Sequence, residues 1–310
     1  MVAGKGGVGK STVCAALALS AARRGKKVLI CELASKERAP YLFGRTTPSG
    51  YDGAEIYPGI ESINVSPAPA LQEYGLMKLR FKRLYRLVFE NPVMKSLVRM
   101  MPGMNELVLI GKAWYLEQEM DPERGGPRWD LIIVDAPATG HGMSLLVLPH
   151  VILETVTTGP LAEETGRIRD LLMDRERTCL NVVTLPEEMP VNESLDLLKQ
   201  VDEKIGMQTG YLFVNGVWPA QPGERDLARL TRLSAGGDTD PRFAAAEAVT
   251  RFMVRRRHAQ EGYIERLRRE CDLPQVEIGY QFRDEFAFEA IDAVSRTIDV
   301  GLKHHEHNLL

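Results

Sequence analysis

The chain has 310 residues, of which 44% are hydrophobic and 26% are charged, as in an ordinary globular protein with a substantial core. Its 39 basic and 42 acidic side chains leave a net charge of −3, so no overall field indicates a nucleic-acid partner or an anionic membrane. Four scattered cysteines without a C-x-x-C pair argue against a local zinc site and are typical of a reducing cytosol. Because no run approaches about 18 apolar residues, we expect no stable membrane insertion and a cytoplasmic location.

The chain begins MVAGKGGVGKST, which contains a complete phosphate-binding loop of the form G-x-x-x-x-G-K-[ST]. In such a loop the backbone N–H groups hold the phosphates, the lysine reaches the β and γ oxygens, and the hydroxyl binds Mg²⁺. The pattern predicts a site for ATP and Mg²⁺, with Lys10 on the phosphates and Ser11 on the metal. The predicted nucleotide-binding residues of this segment are Gly4, Lys5, Gly6, Gly7, Val8, Gly9, Lys10, Ser11 and Thr12.

Lys5 is a second lysine inside the same glycine-rich turn, and the loop pattern does not require it. Ordering a flexible, strongly hydrated charge at this position must serve a purpose that Lys10 does not serve. Only Met1, Val2 and Ala3 precede the loop, whereas a central strand normally runs about five or six residues. The first strand is therefore predicted either to be unusually short or to begin upstream.

Short β-branched, aliphatic segments recur along the chain, each followed by glycine, proline or a helical pattern. Such strands alternating with helices predict a doubly wound α/β domain of the P-loop type, with a parallel sheet covered on both faces. A helix is predicted from Ser11 to Arg24, ending at Gly25. The predicted strands are 27–32, 62–66, 131–135, 180–185, 211–215 and 275–280.

Two helical segments break this alternation. Residues 69–119 carry apolar side chains at helical spacing, and residues 224–269 are helical apart from a loop at SAGGDTDPR. We predict one ATPase domain over residues 1–310, with a helical subdomain inserted at these two points. The first segment contains a stripe of methionines, which suits promiscuous apolar binding, although such a stripe is more often a core or dimer contact: Met94, Met100, Met101 and Met104.

The segment WDLIIVDAPATGHG supplies a second part of the nucleotide site. An apolar strand ending in Asp135 places a carboxylate at the carboxyl edge of the sheet, where it can hold Mg²⁺ or its water. A strand-terminal aspartate can instead be a helix cap, but the phosphate loop favours the metal role. The Pro-Ala-Thr-Gly that follows is a candidate sensor of the γ-phosphate.

These motifs carry a family resemblance. GKGGVGKST resembles the deviant phosphate loop of the nitrogenase-iron-protein, MinD and ArsA class of dimeric ATPases. DAPATGHGMSLLVLP is similar to switch II of the ArsA-like branch, which includes the arsenical-pump ATPase and the tail-anchored-protein targeting ATPase. PGMNEL, LPEEMPVNES and VNGVWP are also similar to that branch, so the resemblance spans most of the chain.

The resemblance implies a role for each of two further residues. Lys5 is expected to reach across a dimer interface to the partner's nucleotide, and a cation about 4 Å from a phosphate contributes roughly 4 kcal/mol before desolvation. Asn215, at the end of YLFVN, is expected to hydrogen-bond adenine, with a turn-forming asparagine as the alternative. The partner is expected to be a second copy or a paralogous subunit.

The sequence departs from the ArsA-like pattern at switch I. That branch has Asp-Pro-Ala shortly after the strand, with the aspartate positioning the attacking water, but VLICELASKERAPYLFG places Ala34 there. The nearest carboxylates are Glu32 and Glu37, and Glu32 is the candidate substitute. The proposed catalytic residues are therefore Lys5, Lys10, Glu32 and Asp135, and hydrolysis is expected to be slow.

A second departure concerns thiols. Between Asp135 and Cys179 there is no cysteine, so the soft ligands of an arsenite or iron–sulfur site are not expected here. Any dimer must be held by other contacts.

The leading interpretation is a Mg²⁺-dependent, ATP-driven dimeric switch whose helical subdomain handles an apolar, membrane-protein-like client. One alternative is a MinD- or ParA-like positioning switch, although the sequence offers only a short, weakly amphipathic tail and locally balanced basic segments. Another is a weakly hydrolysing nucleotide-binding scaffold for a paralogous partner, which Ala34 keeps open.

Overall fold

The computed structural model describes residues 1–79, 103–235 and 241–308. Within these ranges eight strands form one sheet in the order β10-β9-β8-β1-β7-β2-β4-β3, and two form a separate small ribbon, β5-β6. All neighbours in the large sheet are parallel except β3 and β4. The strands are β1 Val2–Ala3, β2 Val28–Leu33, β3 Ala54–Tyr57, β4 Ile60–Val65, β5 Met120–Asp121, β6 Gly126–Pro127, β7 Leu131–Asp135, β8 Leu180–Thr184, β9 Thr209–Val217 and β10 Gln275–Gly279.

Ten helices accompany these strands in the described part of the chain. Their bounds are α1 Lys10–Arg23, α2 Ala39–Leu42, α3 Pro67–Leu79, α4 Met104–Glu117, α5 Thr139–Thr155, α6 Pro160–Met173, α7 Glu188–Lys204, α8 Glu224–Ser234, α9 Pro241–Glu270 and α10 Phe288–Asn308. None of the described helices is long and apolar enough to cross a membrane.

The sheet is covered on both faces, as its near-continuous apolar strands predict. Strand β2 is buried along its whole length, and its alternating side chains divide between two apolar clusters. Leu29 and Cys31 pack with residues of α4 to α7, whereas Val28 and Ile30 pack with α1 and α10. The prediction of a doubly wound α/β fold is confirmed.

The predicted strands and the first helix are all present. Strand β1 contains only Val2–Ala3, yet it lies between β7 and β8 in the middle of the sheet. Helix α1 begins at Lys10 and ends at Arg23, one residue earlier at each end than predicted. Gly25 follows with φ +76°, the left-handed conformation that favours glycine after a helix.

The two predicted helical segments correspond to α3 and α4 and to α8 and α9. Leu107 of α4 and Ile264 of α9 belong to the same apolar cluster, so both segments contact the same face of the sheet. The bounds of a single inserted subdomain stay a prediction. Of the methionine stripe, Met104 is half-buried at the start of α4, and the other three residues lie outside the described ranges.

Candidate nucleotide-binding site

The phosphate loop connects β1 to α1 at the carboxyl edge of the sheet, and close contacts require glycine at two of its positions. At Gly4, where φ is +150°, a Cβ atom would lie 2.2 Å from the Val183 carbonyl oxygen of β8. At Gly9, where φ is +96°, a Cβ atom would lie 2.2 Å from the side-chain nitrogen of Asn215. Glycine at these positions lets the loop lie flat against β8 and β9.

The start of α1 is suited to an anion. Its N-cap is Gly9, which offers no side-chain hydrogen bond, and no acidic residue lies in its first turn. The first backbone N–H groups and the positive end of the helix dipole therefore remain available for a phosphate. Thr12 is half-buried in this first turn, directly after Ser11.

Lys10 lies inside the curve of the loop. Its Nζ donates hydrogen bonds to the carbonyl oxygens of Gly4 and Lys5, each at 3.1 Å. Burial lowers the pKa of Lys10, and the charge of Asp135 opposes this shift. An ammonium group held by two carbonyls is placed where the loop encloses phosphate oxygens.

Ser11 and Asp135 are brought together as predicted for a metal site. The Ser11 hydroxyl donates a hydrogen bond of 2.5 Å to Oδ2 of Asp135, which is only 3% exposed at the end of β7. Burial raises the pKa of Asp135, and the hydrogen bond from Ser11 and the nearby Lys10 ammonium oppose the rise. These hard oxygen donors fit Mg²⁺, which takes few protein ligands and completes its shell with phosphate oxygens and water.

Among residues 1–79, 103–235 and 241–308, no three side chains of histidine, cysteine, aspartate or glutamate are grouped to hold an ion. At this site a Mg²⁺ ion would be held by Ser11 and Asp135 together with the nucleotide, where it would neutralise phosphate charge.

Lys5 points away from the loop interior. Its ammonium forms an ion pair with Glu193 of α7, and the two side chains are 28% and 34% exposed. Gly6, Gly7 and Val8 line an adjacent cavity of about 410 Å³, whose opposite wall is formed by the segment that leads into α7. The two lysines of the loop therefore have different surroundings, one enclosed and one directed outward.

Asn215 contacts the phosphate loop directly. Its side-chain nitrogen donates a hydrogen bond of 2.8 Å to the carbonyl oxygen of Val8. The residue lies in β9, two strands from β1, and joins that strand to the loop. The predicted contact with adenine stays a prediction, since the amide nitrogen is here engaged by the loop.

Glu32 is fully buried in β2, opposite Asp135 in the register with β7. Its carboxylate accepts hydrogen bonds from the backbone N–H groups of Arg38, at 2.7 Å, and Ala39, at 3.3 Å. Burial raises the pKa of Glu32 to about 7, although these N–H groups favour the ionised form. Glu32 thus holds the loop that leads into α2, and its catalytic role stays a prediction.

Glu37 is engaged in the same way, because its carboxylate accepts the backbone N–H of Ser49 at 2.6 Å. Ala34 adopts φ +47°, a left-handed conformation uncommon for a residue other than glycine. The two carboxylates nearest to Ala34 in the sequence therefore both accept hydrogen bonds from backbone N–H groups.

Sequence reasoning missed Glu193 as a site residue. It lies in LPEEMPVNES, a segment that resembles the ArsA-like branch, but the resemblance implies no role for this glutamate. The available signal was its position: the segment follows β8, whose carboxyl end meets the phosphate loop. An acidic residue in a segment next to a lysine-containing loop is a candidate partner for that lysine.

The chain is similar in sequence to several known ATPases. The family model for anion-transporting ATPases matches residues 1–159 and 157–233. ATPase BagA of Mycobacterium tuberculosis is 28% identical over 256 residues, covering 81% of this chain and 73% of that protein. An arsenical pump-driving ATPase of Escherichia coli is 25% identical over 308 residues, covering 88% of this chain and 52% of that protein. The ATPase ASNA1 homolog of Entamoeba dispar is 26% identical, covering 70% of this chain and 76% of that protein.

The matched residues include the phosphate loop, Lys10, Ser11 and Asp135, whose arrangement suits a nucleotide. Because the family model spans most of the chain, this protein belongs to the anion-transporting ATPase family and is a nucleotide-binding ATPase.

Proposed function

We propose that this ATPase is a Mg²⁺-dependent switch in which ATP closes a dimer, with Lys5 of each subunit reaching the nucleotide of the other. The observation that carries the proposal is the different placement of the two lysines in one loop. Lys10 is enclosed by the carbonyls of its own loop, whereas Lys5 lies partly exposed on the outer side. A cation that serves only its own nucleotide has no reason to lie there.

The second subunit of the proposed dimer is either a second copy of this chain or a paralogous chain. Each subunit contributes Lys10, Ser11 and Asp135 to its own nucleotide and Mg²⁺, and Lys5 to the facing one. The added attraction exists only when a γ-phosphate is present and the subunits are closed. Dimer closure therefore depends on the nucleotide state.

We further propose that the helical segments handle an apolar protein client. Helix α8 buries none of its residues, and α8 and α9 expose large apolar side chains: Leu233 at 46%, Phe243 at 40%, Val249 at 59% and Phe252 at 52%. A separate groove of about 450 Å³ between α3, α4 and α6 is lined mainly by apolar side chains, including Met77 and Met104. Exposed apolar surface of this kind suits a partner with an apolar helix.

Slow hydrolysis is the third part of the proposal. Ala34 offers no carboxylate, and Glu32 and Glu37 both hold backbone N–H groups. A water-orienting side chain is separable from the metal ligand and the cation, so ATP can bind tightly while turnover stays low. Restoring a carboxylate in Ala34→Asp should raise steady-state turnover by roughly 10-fold or more. A rapid wild type that the substitution does not accelerate would contradict this part.

The dimer switch is tested by comparing Lys5→Ala with Lys10→Ala. Lys10→Ala should weaken binding of an ATP analogue by roughly 100-fold, because it removes the subunit's own phosphate cation. Lys5→Ala should bind the analogue almost as well as the wild type but lose the analogue-dependent dimer. Sedimentation without nucleotide, with ADP and with the analogue, together with titration calorimetry, separates the two effects.

Two outcomes would overturn the dimer proposal. One is equal loss of nucleotide affinity in both variants with dimerisation unchanged by Lys5→Ala. The other is a wild type whose sedimentation is the same in all three nucleotide states, which would favour the alternative of a nucleotide-binding scaffold.

A further inference from the structure

Strand β9 contains an irregularity directly after the residue that contacts the phosphate loop. Between two paired positions, Val214 with Glu277 and Val217 with Gly279, β9 advances three residues while β10 advances two. Strand β9 therefore has one extra residue, which forms a β-bulge that spans Asn215 and Gly216. Gly216 has φ +68°. Bulges of this kind redirect a side chain and increase local twist, and this one accompanies the turn of Asn215 onto the loop.

Near the bulge, two backbone groups of β9 have no neighbouring strand to pair with on the β8 side. Pairing with β8 ends at Thr184 and Val214, so β8 does not extend beside the last residues of β9. On the β10 side, the Val217 carbonyl accepts the N–H of Tyr280 at 2.8 Å. The Gly216 carbonyl and Trp218 N–H face the other side, where a partner other than β8 is needed.

Gln260 of α9 satisfies both groups. Its Oε1 accepts the N–H of Trp218 at 2.8 Å, and its Nε2 donates to the carbonyl of Gly216 at 3.0 Å. The side chain is only 6% exposed, and the two hydrogen bonds that it makes are partly buried. Arg257, nearly one turn earlier, donates to the Trp218 carbonyl at 3.1 Å. One amide side chain thus replaces the missing strand at the bulge.

The same helix contacts this strand end through a second, apolar contact. The Trp218 ring packs edge-on against Phe252 with centroids 5.4 Å apart. Phe252 lies on the part of α9 that, with α8, exposes apolar side chains. A continuous set of contacts therefore runs from helices α8 and α9, which together are called the α8–α9 hairpin, through Gln260 and the bulge to Asn215 and the carbonyl of Val8.

We propose that Gln260 is a positioning residue for the nucleotide site. It fixes the bulge that holds Asn215 on the phosphate loop, and it thereby couples α9 to the presence of nucleotide. This inference rests on the proposed location of the nucleotide at that loop. Removing Gln260 leaves two partly buried backbone groups without this partner, and the bulge can then relax away from the loop.

Gln260→Met tests the proposal, because methionine keeps the length of the side chain and loses both hydrogen bonds. The dissociation constant of a Mg²⁺–ATP analogue should rise by roughly 3- to 10-fold, the effect of losing about one net hydrogen bond from the loop support. Leu267→Ala is the matched control, since Leu267 is fully buried in the same helix and belongs to the apolar core. It should lower thermal stability without changing the affinity.

Hydrogen exchange supplies a second readout, which is measured first on the wild type and then on two variants. The analogue should slow amide exchange at residues 216–218 and along the middle of α9, and Gln260→Met should abolish the protection in α9. Lys10→Ala should abolish all nucleotide-dependent protection, which verifies the location of the nucleotide.

The possible failures are distinguishable. If Lys10→Ala binds the analogue like the wild type, the proposed site itself is wrong. If Lys10→Ala behaves as expected but Gln260→Met keeps full affinity and α9 shows no protection in the wild type, the positioning role is wrong. An equal rise of the dissociation constant in Leu267→Ala and Gln260→Met would assign the effect to general loosening of α9 and would also overturn it.

Discussion

The phosphate-loop edge of the sheet and the α8–α9 hairpin differ in how many close contacts fix their residues in place. At the loop, Gly4 lies against the Val183 carbonyl of β8, Gly9 lies against the Asn215 side chain of β9, and Ser11 is hydrogen-bonded to a buried carboxylate. In the hairpin, α8 buries no residue and large apolar side chains face solvent. Contacts that fix the loop in advance suit the proposed orientation of phosphates, and the few obligatory contacts of α8 and α9 suit the proposed surface for a partner.

Helix α9 combines both conditions in one element. Its carboxyl-terminal part is anchored in the core by Ile264 and Leu267, while Phe243 and Val249 near its start are exposed. Gln260 lies near the anchored end and contacts β9. A 30-residue helix anchored at its carboxyl-terminal part can transmit a small change there to its more exposed amino-terminal part.

The largest expected effect breaks the constrained edge. In Gly4→Ala the new methyl group would lie 2.2 Å from the Val183 carbonyl, a backbone atom that cannot move without disturbing β8. We expect nucleotide binding to be lost and stability to fall by more than about 3 kcal/mol. Gly7→Ala is the control, since it also has positive φ but no atom within 4 Å of the added carbon. Calorimetry and thermal unfolding measure both; equal damage in the two variants would show that strain, not contact, decides.

Sequence alone predicted those parts of the molecule that depend on local pattern. The apolar runs around Val28–Leu33 and Leu131–Asp135 identify buried parallel strands without knowledge of their neighbours. The glycine spacing of the loop identifies a phosphate site because the same residues form the turn and the helix start. Helix α1 was predicted to within one residue at each end for the same reason.

The features that sequence did not predict depend on contacts between distant residues. Lys5 and Glu193 are separated by 188 positions, and no periodicity relates them. The carboxylate of Glu32 was recognised, but its hydrogen bonds to the turn before α2 require the path of that turn to be known. The antiparallel pairing of β3 with β4 was also missed, because β3 is a short and partly exposed edge strand.

A second prediction compares exposed apolar side chains of the α8–α9 hairpin with a side chain of the core. Phe243→Ser and Val249→Ser should change the free energy of unfolding by less than about 0.5 kcal/mol each, because both side chains already face water. Leu146→Ala, at a site 1% exposed, should lower it by about 2–5 kcal/mol. Urea unfolding provides the comparison, and binding of an apolar helical peptide provides the second readout. Large destabilisation by the hairpin variants would mean that these residues are core, and the client proposal would fall.

A third prediction concerns pH at the constrained edge. Glu32 has a folded-state pKa of about 7, above the ordinary value of 4.5, so the folded state binds its proton more tightly than the unfolded state does. Stability should therefore fall as pH rises from about 4.5 to 7 and level off above that range, by roughly 3 kcal/mol in total from this group. In Glu32→Gln this contribution should disappear. Urea unfolding in EDTA across the range, with Glu37→Gln as control, measures the difference between the profiles.

The result for Glu32 has two informative outcomes. A flatter profile in Glu32→Gln alone supports a carboxyl group whose ionisation is opposed by burial. Equal slopes in the wild type and Glu32→Gln would assign the pH dependence to another group, with Asp135 as the next buried carboxylate to test.

The smallest expected effect concerns the contact between Lys5 and Glu193. If Lys5 serves the partner's nucleotide, it must leave Glu193 when the dimer closes, so this ion pair opposes closure. The pair is partly exposed and worth at most about 1 kcal/mol, so Glu193→Gln should tighten the analogue-bound dimer by roughly 2- to 5-fold. Asp202→Asn removes the same charge from an exposed position near the other end of the same helix, away from the cavity beside Lys5, and should have little effect. Sedimentation at several protein concentrations measures both constants. Equal tightening in the two variants would indicate a general effect of charge, and a weaker dimer in Glu193→Gln would show that Glu193 orients Lys5 for its partner.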